Sequence, residues 1–154
     1  MFWDNVAGVY DVFVHVINRK THQKLKKIVS ELIEHDDTVL ECACGTGLLS
    51  AVIAPNCRQL TATDYSEKML QTAERNCTAS HNIAFARADV TALAFPDGSF
   101  DKVVAGNVIH LLDHPMKALG ELNRVCRDGG LLATMPSREK FEGFERDLLQ
   151  TTEG

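Results

Sequence analysis

Residues suited to binding a small polar ligand occur where four apolar runs of the sequence stop. Four such points are present, and they are marked by Gly45 with Gly47, by Asp64, by Asp89 and by Asn107. Glycine lets backbone amides approach a ligand closely, and a carboxylate accepts hydrogen bonds from neighbouring hydroxyl groups. This set of residues indicates a site for a ligand that carries hydroxyl groups, such as a nucleoside.

The glycine turn alone does not specify its ligand. Gly45-Thr-Gly47 could place backbone amides at the start of a helix, where they bind polar groups of a ligand. The same residues also suit a tight strand-to-helix turn without any ligand. An isolated G-x-G pattern does not separate these two interpretations.

Asp64 narrows the choice through its spacing. It lies 17 positions after Gly47, where a carboxylate at the end of a second strand can accept hydrogen bonds from both ribose hydroxyls. An alternative role, capping the helix that begins near Ser66, can coexist with ribose binding. Ser50 replaces the third glycine of a dinucleotide fingerprint, and no Gly-Lys-Ser/Thr of a phosphate-binding loop follows the turn. The pattern favours a nucleoside without pyrophosphate.

The elements that must position these residues follow from hydrophobic periodicity. Helical spacing occurs in 6–17 and 25–32, and strand-like apolar runs occur in 38–43, 59–63, 83–88, 100–105 and 131–135. Further helices are predicted at 48–54, at 66–77 with Ser66 as the N-cap, at 115–125 from Pro115, and at 138–149.

This alternation of strands and helices predicts an α/β protein with a doubly wound, mostly parallel sheet and helices on both faces. We expect one domain over residues 1–154, in which an N-terminal helical cap (1–35) precedes the sheet core (36–154). In an open parallel sheet, ligands bind outside the carboxyl ends of the strands, where the strand order reverses. The marked residues all fall at such ends.

Composition limits the partners of such a domain. The chain has 154 residues, a formal net charge of -5 and a pI near 5.6, and it lacks the basic face that nucleic-acid binding requires. Its five cysteines lack the spacing of a zinc or redox site, so we expect reduced thiols and no bound metal. Neither a membrane span nor a signal peptide is predicted, which favours a cytoplasmic protein.

Five ordered segments of the sequence carry a family resemblance. They are Val39-Leu-Glu-Cys-Ala-Cys-Gly-Thr-Gly47, Leu60-Thr-Ala-Thr-Asp-Tyr-Ser-Glu-Lys-Met-Leu70, Asp89-Val90 with Phe95-Pro-Asp-Gly-Ser-Phe-Asp101, Asn107-Val-Ile-His-Leu-Leu-Asp-His-Pro115, and Leu122-Asn-Arg-Val-Cys-Arg-Asp-Gly-Gly-Leu131. Together these segments resemble the motifs of class I S-adenosylmethionine-dependent methyltransferases. The resemblance is strongest to the ubiquinone/menaquinone-biosynthesis-like (methyltransferase type 11) group.

The resemblance implies a Rossmann-like methyltransferase fold, S-adenosylmethionine as the cofactor and a set of cofactor-binding residues. Glu41 would interact with the amino end of the methionine moiety, Asp64 with the ribose hydroxyls, and Asp89 with the adenine amino group. The other implied contacts are Ala43, Cys44, Gly45 and Gly47 in the glycine turn, Tyr65, Met69 and Val90 around the adenine, Asn107 and Val108 near the methionine, and Tyr10 over the cofactor.

Three features qualify what the resemblance implies. Ala43 stands where the family usually has glycine, which puts the affinity for the cofactor in question. His110 is the candidate base, although a histidine that packs or orders its loop is the favoured interpretation because it has no visible partner. Residues 137–154 read as helical, which leaves open whether the sheet contains the family's last two strands. Without them, the fifth strand would be an exposed edge that favours a homodimer.

The function implied by the resemblance is transfer of a methyl group from S-adenosylmethionine to a small-molecule acceptor by in-line displacement. One alternative is a nucleoside-binding regulatory or non-catalytic module. Another is an NAD-type oxidoreductase, which is disfavoured by Ser50 and by the lack of a Tyr-x-x-x-Lys pair. Nucleoside binding would separate the oxidoreductase from the other two, and an acceptor screen would separate those two from each other.

Overall fold

A parallel sheet of five strands organises the chain. The structure, a computed structural model, describes residues 19–105 and 112–134. In chain order the elements are α1 (Arg19–Leu32), β1 (Thr38–Cys42), α2 (Leu48–Ile53), a 3-10 turn (Ala54–Asn56), β2 (Gln59–Asp64), α3 (Glu67–Asn76), β3 (Ile83–Arg87), β4 (Phe100–Ala105), α4 (Pro115–Val125) and β5 (Cys126–Thr134). The strand order is β3-β2-β1-β4-β5, and all adjacent pairs are parallel.

The strand order reverses between β1 and β4. The chain leaves β1 for β2 on one side, and it later returns to β4 on the other side of β1. Cys42 and Ala105, the last residues of β1 and β4, are register partners, so the two carboxyl ends lie side by side. Loops that leave two such ends diverge and open a crevice, which is where sheets of this type bind ligands. The predicted doubly wound α/β fold is confirmed.

The hydrophobic core lies on both faces of the sheet. Neighbouring residues of β1 point to opposite faces, so Val39 belongs to one hydrophobic cluster and Leu40 to another. The first cluster includes Val29 of α1, together with residues of α2 and α3, and the second includes Leu122 of α4. Residues Val39 to Cys42 are all buried, as expected of a central parallel strand covered on two sides.

The first described helix begins earlier than predicted: α1 starts at Arg19, whereas apolar spacing indicated only 25–32, because residues 19–24 are polar. The helices predicted at 48–54, 66–77 and 115–125 match α2, α3 and α4 to within one residue at each end. α3 is the clearest case, because the Ser66 side chain accepts a hydrogen bond from the Met69 amide at 3.2 Å and so caps the helix as predicted. Met135 and the helices predicted at 6–17 and 138–149 lie outside the described residues. In the part of the chain that is described, no helix is both long and apolar enough to cross a membrane.

β5 begins earlier than its predicted start at Leu131. It starts at Cys126, directly after α4, and its pairing with β4 shifts in register before Leu131 lies opposite Lys102. Several residues of β5 therefore face the single Asp101 of β4 across this irregularity. An irregular pairing of this kind has no regular alternation of apolar residues, so periodicity could not identify it.

Arg124 on α4 fastens the loop that leads from β3 to β4. Its guanidinium group donates hydrogen bonds to the carbonyls of Leu93 at 2.9 Å and Phe95 at 2.8 Å. The same group donates to the carboxylates of Asp97 at 2.8 Å and Glu121 at 3.0 Å. Glu121 in turn accepts the Leu93 amide at 2.8 Å. These contacts hold the loop after β3 against the second cluster.

Candidate functional site

The turn between β1 and α2 has a left-handed backbone at three residues. The φ angle is 56° at Ala43, 55° at Gly45 and 85° at Gly47. Glycine adopts this region readily, whereas a Cβ atom there crowds the following carbonyl at a cost of about 1–2 kcal/mol. The turn therefore keeps a glycine-type conformation even at Ala43, the residue that departs from the family pattern.

The two glycines of the turn have different surroundings. A Cβ atom on Gly47 would lie 3.0 Å from the Ala73 side chain and 3.0 Å from Sγ of Cys77. Gly47 thus lets the turn pack closely against α3. A Cβ atom on Gly45 would meet nothing within 4 Å. Gly45 therefore borders open space in which a ligand could approach its backbone.

Asp64, the last residue of β2, holds the turn from its other side. Its Oδ2 accepts a hydrogen bond from the Gly45 amide at 2.9 Å, and its Oδ1 accepts one from the Ser66 amide at 2.9 Å. Each carboxylate oxygen can accept more than one hydrogen bond, so ligand hydroxyls could still bind. Since Ser66 itself caps α3, Asp64 is not the cap but orients the residue that is.

Glu41 is a buried carboxyl group beneath the turn. It is 2% exposed, and its Oε2 accepts a hydrogen bond from the Ser50 hydroxyl at 2.5 Å. Burial raises the pKa of Glu41 from 4.5 to about 8; the Ser50 hydrogen bond opposes this shift and the charge of Asp64 adds to it. Without a ligand, Glu41 is therefore largely protonated at neutral pH. A cationic ligand group nearby would favour the ionised form.

Tyr65 and Met69, the residues predicted around an adenine, differ in exposure. Tyr65 is 52% exposed, whereas Met69 is 4% exposed and belongs to neither hydrophobic cluster. Arg87, the last residue of β3, donates a hydrogen bond from Nε to the Tyr65 carbonyl at 2.9 Å. Its guanidinium carbon lies 4.9 Å from the centroid of the Tyr65 ring. This geometry is a cation–π contact.

Asp89 lies just beyond the end of β3. Its Oδ1 accepts hydrogen bonds from the Thr91 hydroxyl at 2.7 Å and the Thr91 amide at 2.9 Å. These bonds lower the pKa of Asp89, so its carboxylate is ionised at neutral pH. No donor from residues 19–105 or 112–134 reaches Oδ2, which can accept a hydrogen bond from a ligand. Val90 is partly buried against the second cluster.

The structure brings most of the predicted site residues to one edge of the sheet. The ends of β2 and β3 are joined there, because the Ala88 amide donates to the Asp64 carbonyl at 3.1 Å. The residues gathered at this edge are Glu41, Ala43, Cys44, Gly45, Gly47, Asp64, Tyr65, Met69, Asp89 and Val90. Tyr10, Asn107, Val108 and His110 lie outside the described residues, and their roles stay predictions.

Three residues that shape the site were not predicted from the sequence. Ser50 donates to Glu41, Arg87 contacts Tyr65, and Asn76 donates from Nδ2 to the Thr46 carbonyl at 2.9 Å. One feature of the sequence could have identified Ser50 as a site residue, because it is a hydroxyl residue within the apolar run of α2. The other two contacts join residues more than twenty positions apart and leave no local signal.

The cysteines near the turn are part of its packing. Burial raises the pKa of Cys42 to about 12 and that of Cys77 to about 11, and it also raises the pKa of Cys44. Such thiols stay protonated at neutral pH and react slowly, since the thiolate is the reactive form. Across the described ranges, no group of three or more His, Cys, Asp or Glu side chains could hold a metal ion.

The geometry is that of an α/β domain with a ligand crevice at the carboxyl ends of its central strands. Residues 40–134 match the family described as Methyltransferase domain. A demethylmenaquinone methyltransferase of Clavibacter sepedonicus is 37% identical over 130 residues, which cover 83% of this chain and 53% of that protein. The chain belongs to the methyltransferase domain family, and its resemblance to class I methyltransferases of the ubiquinone/menaquinone type is confirmed.

Two further relatives agree with this assignment. A demethylmenaquinone methyltransferase of Staphylococcus aureus is 27% identical over 143 residues, covering 89% of this chain and 59% of that protein. The structure of a DhpI–SAH complex superposes with a TM-score of 0.71 at 26% identity, covering 86% of this chain and 64% of that one. The chain thus spans somewhat more than half the length of the curated relatives it matches.

Replacing Ala43 by glycine should stabilise the protein by about 0.5–1 kcal/mol, because relief of the left-handed strain exceeds the flexibility that glycine adds to the unfolded chain. Urea unfolding measures this change. The control is Ala51→Gly, an exposed position in α2 without a positive φ angle. There the same substitution should cost about 1 kcal/mol. A loss of stability in both variants would show that Ala43 is not strained.

Glu41 should make the stability of the ligand-free protein depend on pH. Its pKa is about 8 in the folded chain and 4.5 ordinarily. The part of the free energy of unfolding that depends on Glu41 is therefore largest below pH 4.5. It should fall as the pH rises toward the folded-state pKa and be lost above that value. Glu41→Gln retains an acceptor for Ser50 but does not titrate.

The measurement is urea unfolding of wild type and Glu41→Gln at several values between about pH 5 and about pH 9. The free energy of unfolding of the wild type should decrease relative to that of the variant across this range. A difference that stays constant with pH would contradict the protonated state of Glu41.

Proposed function

We propose that this chain transfers a methyl group from S-adenosylmethionine to a small-molecule acceptor of the quinone class. The Asp64 carboxylate carries the proposal, because it joins the open glycine turn to the end of β2 through the Gly45 amide at 2.9 Å. This arrangement presents a carboxylate, rather than a phosphate-binding loop, to a ligand near the switch point, the place between β1 and β4 where the strand order reverses. It suits a nucleoside that lacks pyrophosphate.

The residues at this edge fit the chemical groups of S-adenosylmethionine. The space next to Gly45 is open, so a ligand can reach the backbone there. Asp64 can still accept hydrogen bonds from two ribose hydroxyls. Asp89 can offer Oδ2 of an ionised carboxylate, which no donor from the described residues reaches, to the adenine amino group. Tyr65 supplies exposed apolar surface for the base, whereas Met69 is 4% exposed and its contact with the base stays a prediction. Cys44 and Ala43 line the turn, and Val90 backs the loop after β3.

Glu41 complements the amino end of the cofactor's methionine moiety. Its carboxyl group is buried, with the Ser50 hydroxyl as a hydrogen-bond donor. A bound ammonium group would stabilise the carboxylate and lower the pKa of Glu41 from its ligand-free value. Cofactor binding at neutral pH would then release a proton from Glu41. The predicted backbone contacts of Asn107 and Val108 would complete this end of the site.

S-adenosylmethionine, when bound, supplies a methyl group that is already activated by the positive charge on its sulfur. The chain's own residues hold the reactants in line and exclude water from them. A base is needed only where the acceptor must lose a proton before it reacts. His110, which follows β4 in the sequence, is the candidate for that role, and Tyr10 is a candidate to close over the site.

The quinone class of acceptor is proposed from the curated relatives. The proteins of Clavibacter sepedonicus and Staphylococcus aureus are both demethylmenaquinone methyltransferases. The match extends over residues on both sides of the switch point, since it covers 83% of this chain. A ring carbon of a reduced naphthoquinone is a suitable nucleophile for such a transfer.

Asp64→Ala should weaken the binding of S-adenosylhomocysteine by about 1–3 kcal/mol, because hydrogen bonds to a charged group are lost. Isothermal titration calorimetry measures the affinity. The matched control is Asp36→Ala, an exposed carboxylate in the connection before β1, at the opposite end of the sheet. Circular dichroism verifies that both variants fold. Equal affinity in wild type and Asp64→Ala would show that Asp64 does not hold the nucleoside.

Methyl transfer itself is tested with S-adenosylmethionine that carries a labelled methyl group. Incubation with a reduced demethylated naphthoquinone should move the label into the organic phase, and mass spectrometry should find the acceptor heavier by one methylene unit. His110→Ala measures whether a base at this position contributes. Tight binding of S-adenosylhomocysteine without transfer to any acceptor of a broad panel would instead support a non-catalytic nucleoside-binding module.

A further inference from the structure

We propose that Arg87 is a positioning residue that fixes the Tyr65 ring as a platform for the adenine of the cofactor. This inference rests on the proposed function and names what sets the affinity for the base. Arg87 contacts Tyr65 twice, through a hydrogen bond from Nε to the carbonyl at 2.9 Å and through its guanidinium carbon, 4.9 Å from the ring centroid. One side chain therefore holds both the backbone and the ring of Tyr65.

The backbone on either side of Tyr65 is already fixed. The Asp64 carbonyl accepts the Ala88 amide at 3.1 Å, and the Asp64 carboxylate accepts the Ser66 amide at 2.9 Å. The torsions of the Tyr65 side chain are thus the freedom that remains, and the guanidinium group restrains them. A platform that is held in place before binding loses less conformational entropy when a ligand stacks on it.

The register of the sheet places this pair beside the proposed ribose contact. Arg87 is the partner of Asp64 in the β2–β3 pairing, so the two residues occupy neighbouring positions at the edge of the sheet. Asp89, the proposed partner of the adenine amino group, follows two positions later. An adenine attached to a ribose at Asp64 and directed toward Asp89 would pass next to Tyr65.

The ring of Tyr65 has surface available for a base. The residue is 52% exposed although the guanidinium group covers part of it. A cation on one face of an aromatic ring leaves the opposite face free for stacking, and every base offers a π-face for that contact. Arg87 would therefore act on the nucleoside through Tyr65, without touching the reacting atoms.

A purely structural surface pair is the competing interpretation, and a double-mutant cycle separates the two. The variants are Arg87→Met, which keeps an unbranched stem but removes the guanidinium group, Tyr65→Leu, and the double variant. Arg75→Met is the matched control, because Arg75 is also exposed and its side chain donates to Thr72 within α3. Calorimetry with S-adenosylhomocysteine and with adenosine gives the affinities, and thermal unfolding gives the stabilities.

Arg87→Met should weaken the binding of both ligands about three- to fivefold, the range of an exposed cation–π contact. Tyr65→Leu should weaken it about tenfold or more through the loss of stacking. In the Tyr65→Leu background, Arg87→Met should cause no further loss. Tyr65→Phe keeps the ring and should lose less affinity than Tyr65→Leu, and Arg87→Lys should recover part of the affinity lost in Arg87→Met. Arg75→Met should leave both affinities unchanged.

Three outcomes would overturn the inference. Wild-type affinity in Arg87→Met would do so while leaving the proposed function intact. If Arg87→Met weakened binding equally in the wild type and in the Tyr65→Leu variant, Arg87 would act independently of Tyr65. Failure of the wild-type chain to bind S-adenosylhomocysteine or adenosine would remove the proposed function, and the inference with it.

Discussion

The hydrogen bond between the Gly45 amide and the Asp64 carboxylate is the contact on which the candidate site depends. It joins residues 19 positions apart and ties the turn after β1 to the end of β2. The other carboxylate oxygen holds the amide of Ser66, and Ser66 caps α3. α3 in turn packs its Ala73 against Gly47. One carboxylate thereby fixes the turn, the strand end and the helix relative to one another.

Two features beneath this contact oppose folding. Ala43 has a left-handed backbone, and Glu41 is a carboxyl group removed from water. The sheet tolerates both because Val39 and Leu40, which precede them in β1, are each 0% exposed between two hydrophobic clusters. Strained backbone and perturbed carboxyl groups concentrate at functional sites. Their coincidence under the turn supports a ligand site there on grounds separate from family resemblance.

The features that could be predicted from the sequence depend on residues close together in the chain. The Ser66 cap and the helix from Pro115 follow from short-range patterns, as does the position of Asp64 at a strand end. The contact of Arg87 with Tyr65 depends instead on how β3 is registered against β2, which apolar periodicity does not specify. The donation from Ser50 to Glu41 likewise needs the turn to bring α2 back over β1.

The switch point divides the site into two parts, and substitutions in the two parts should have different effects. The residues proposed to hold the nucleoside come from the ends of β1, β2 and β3, on one side of the reversal in strand order. The predicted cofactor contacts Asn107 and Val108 and the candidate base His110 follow β4 in the sequence. A substitution of Asp64 or Asp89 should change the affinity for the nucleoside whichever acceptor is used, whereas a substitution of His110 should change transfer only to an acceptor that must lose a proton. Such a division agrees with the general pattern in which a sheet supports a site and the loops around it determine the function.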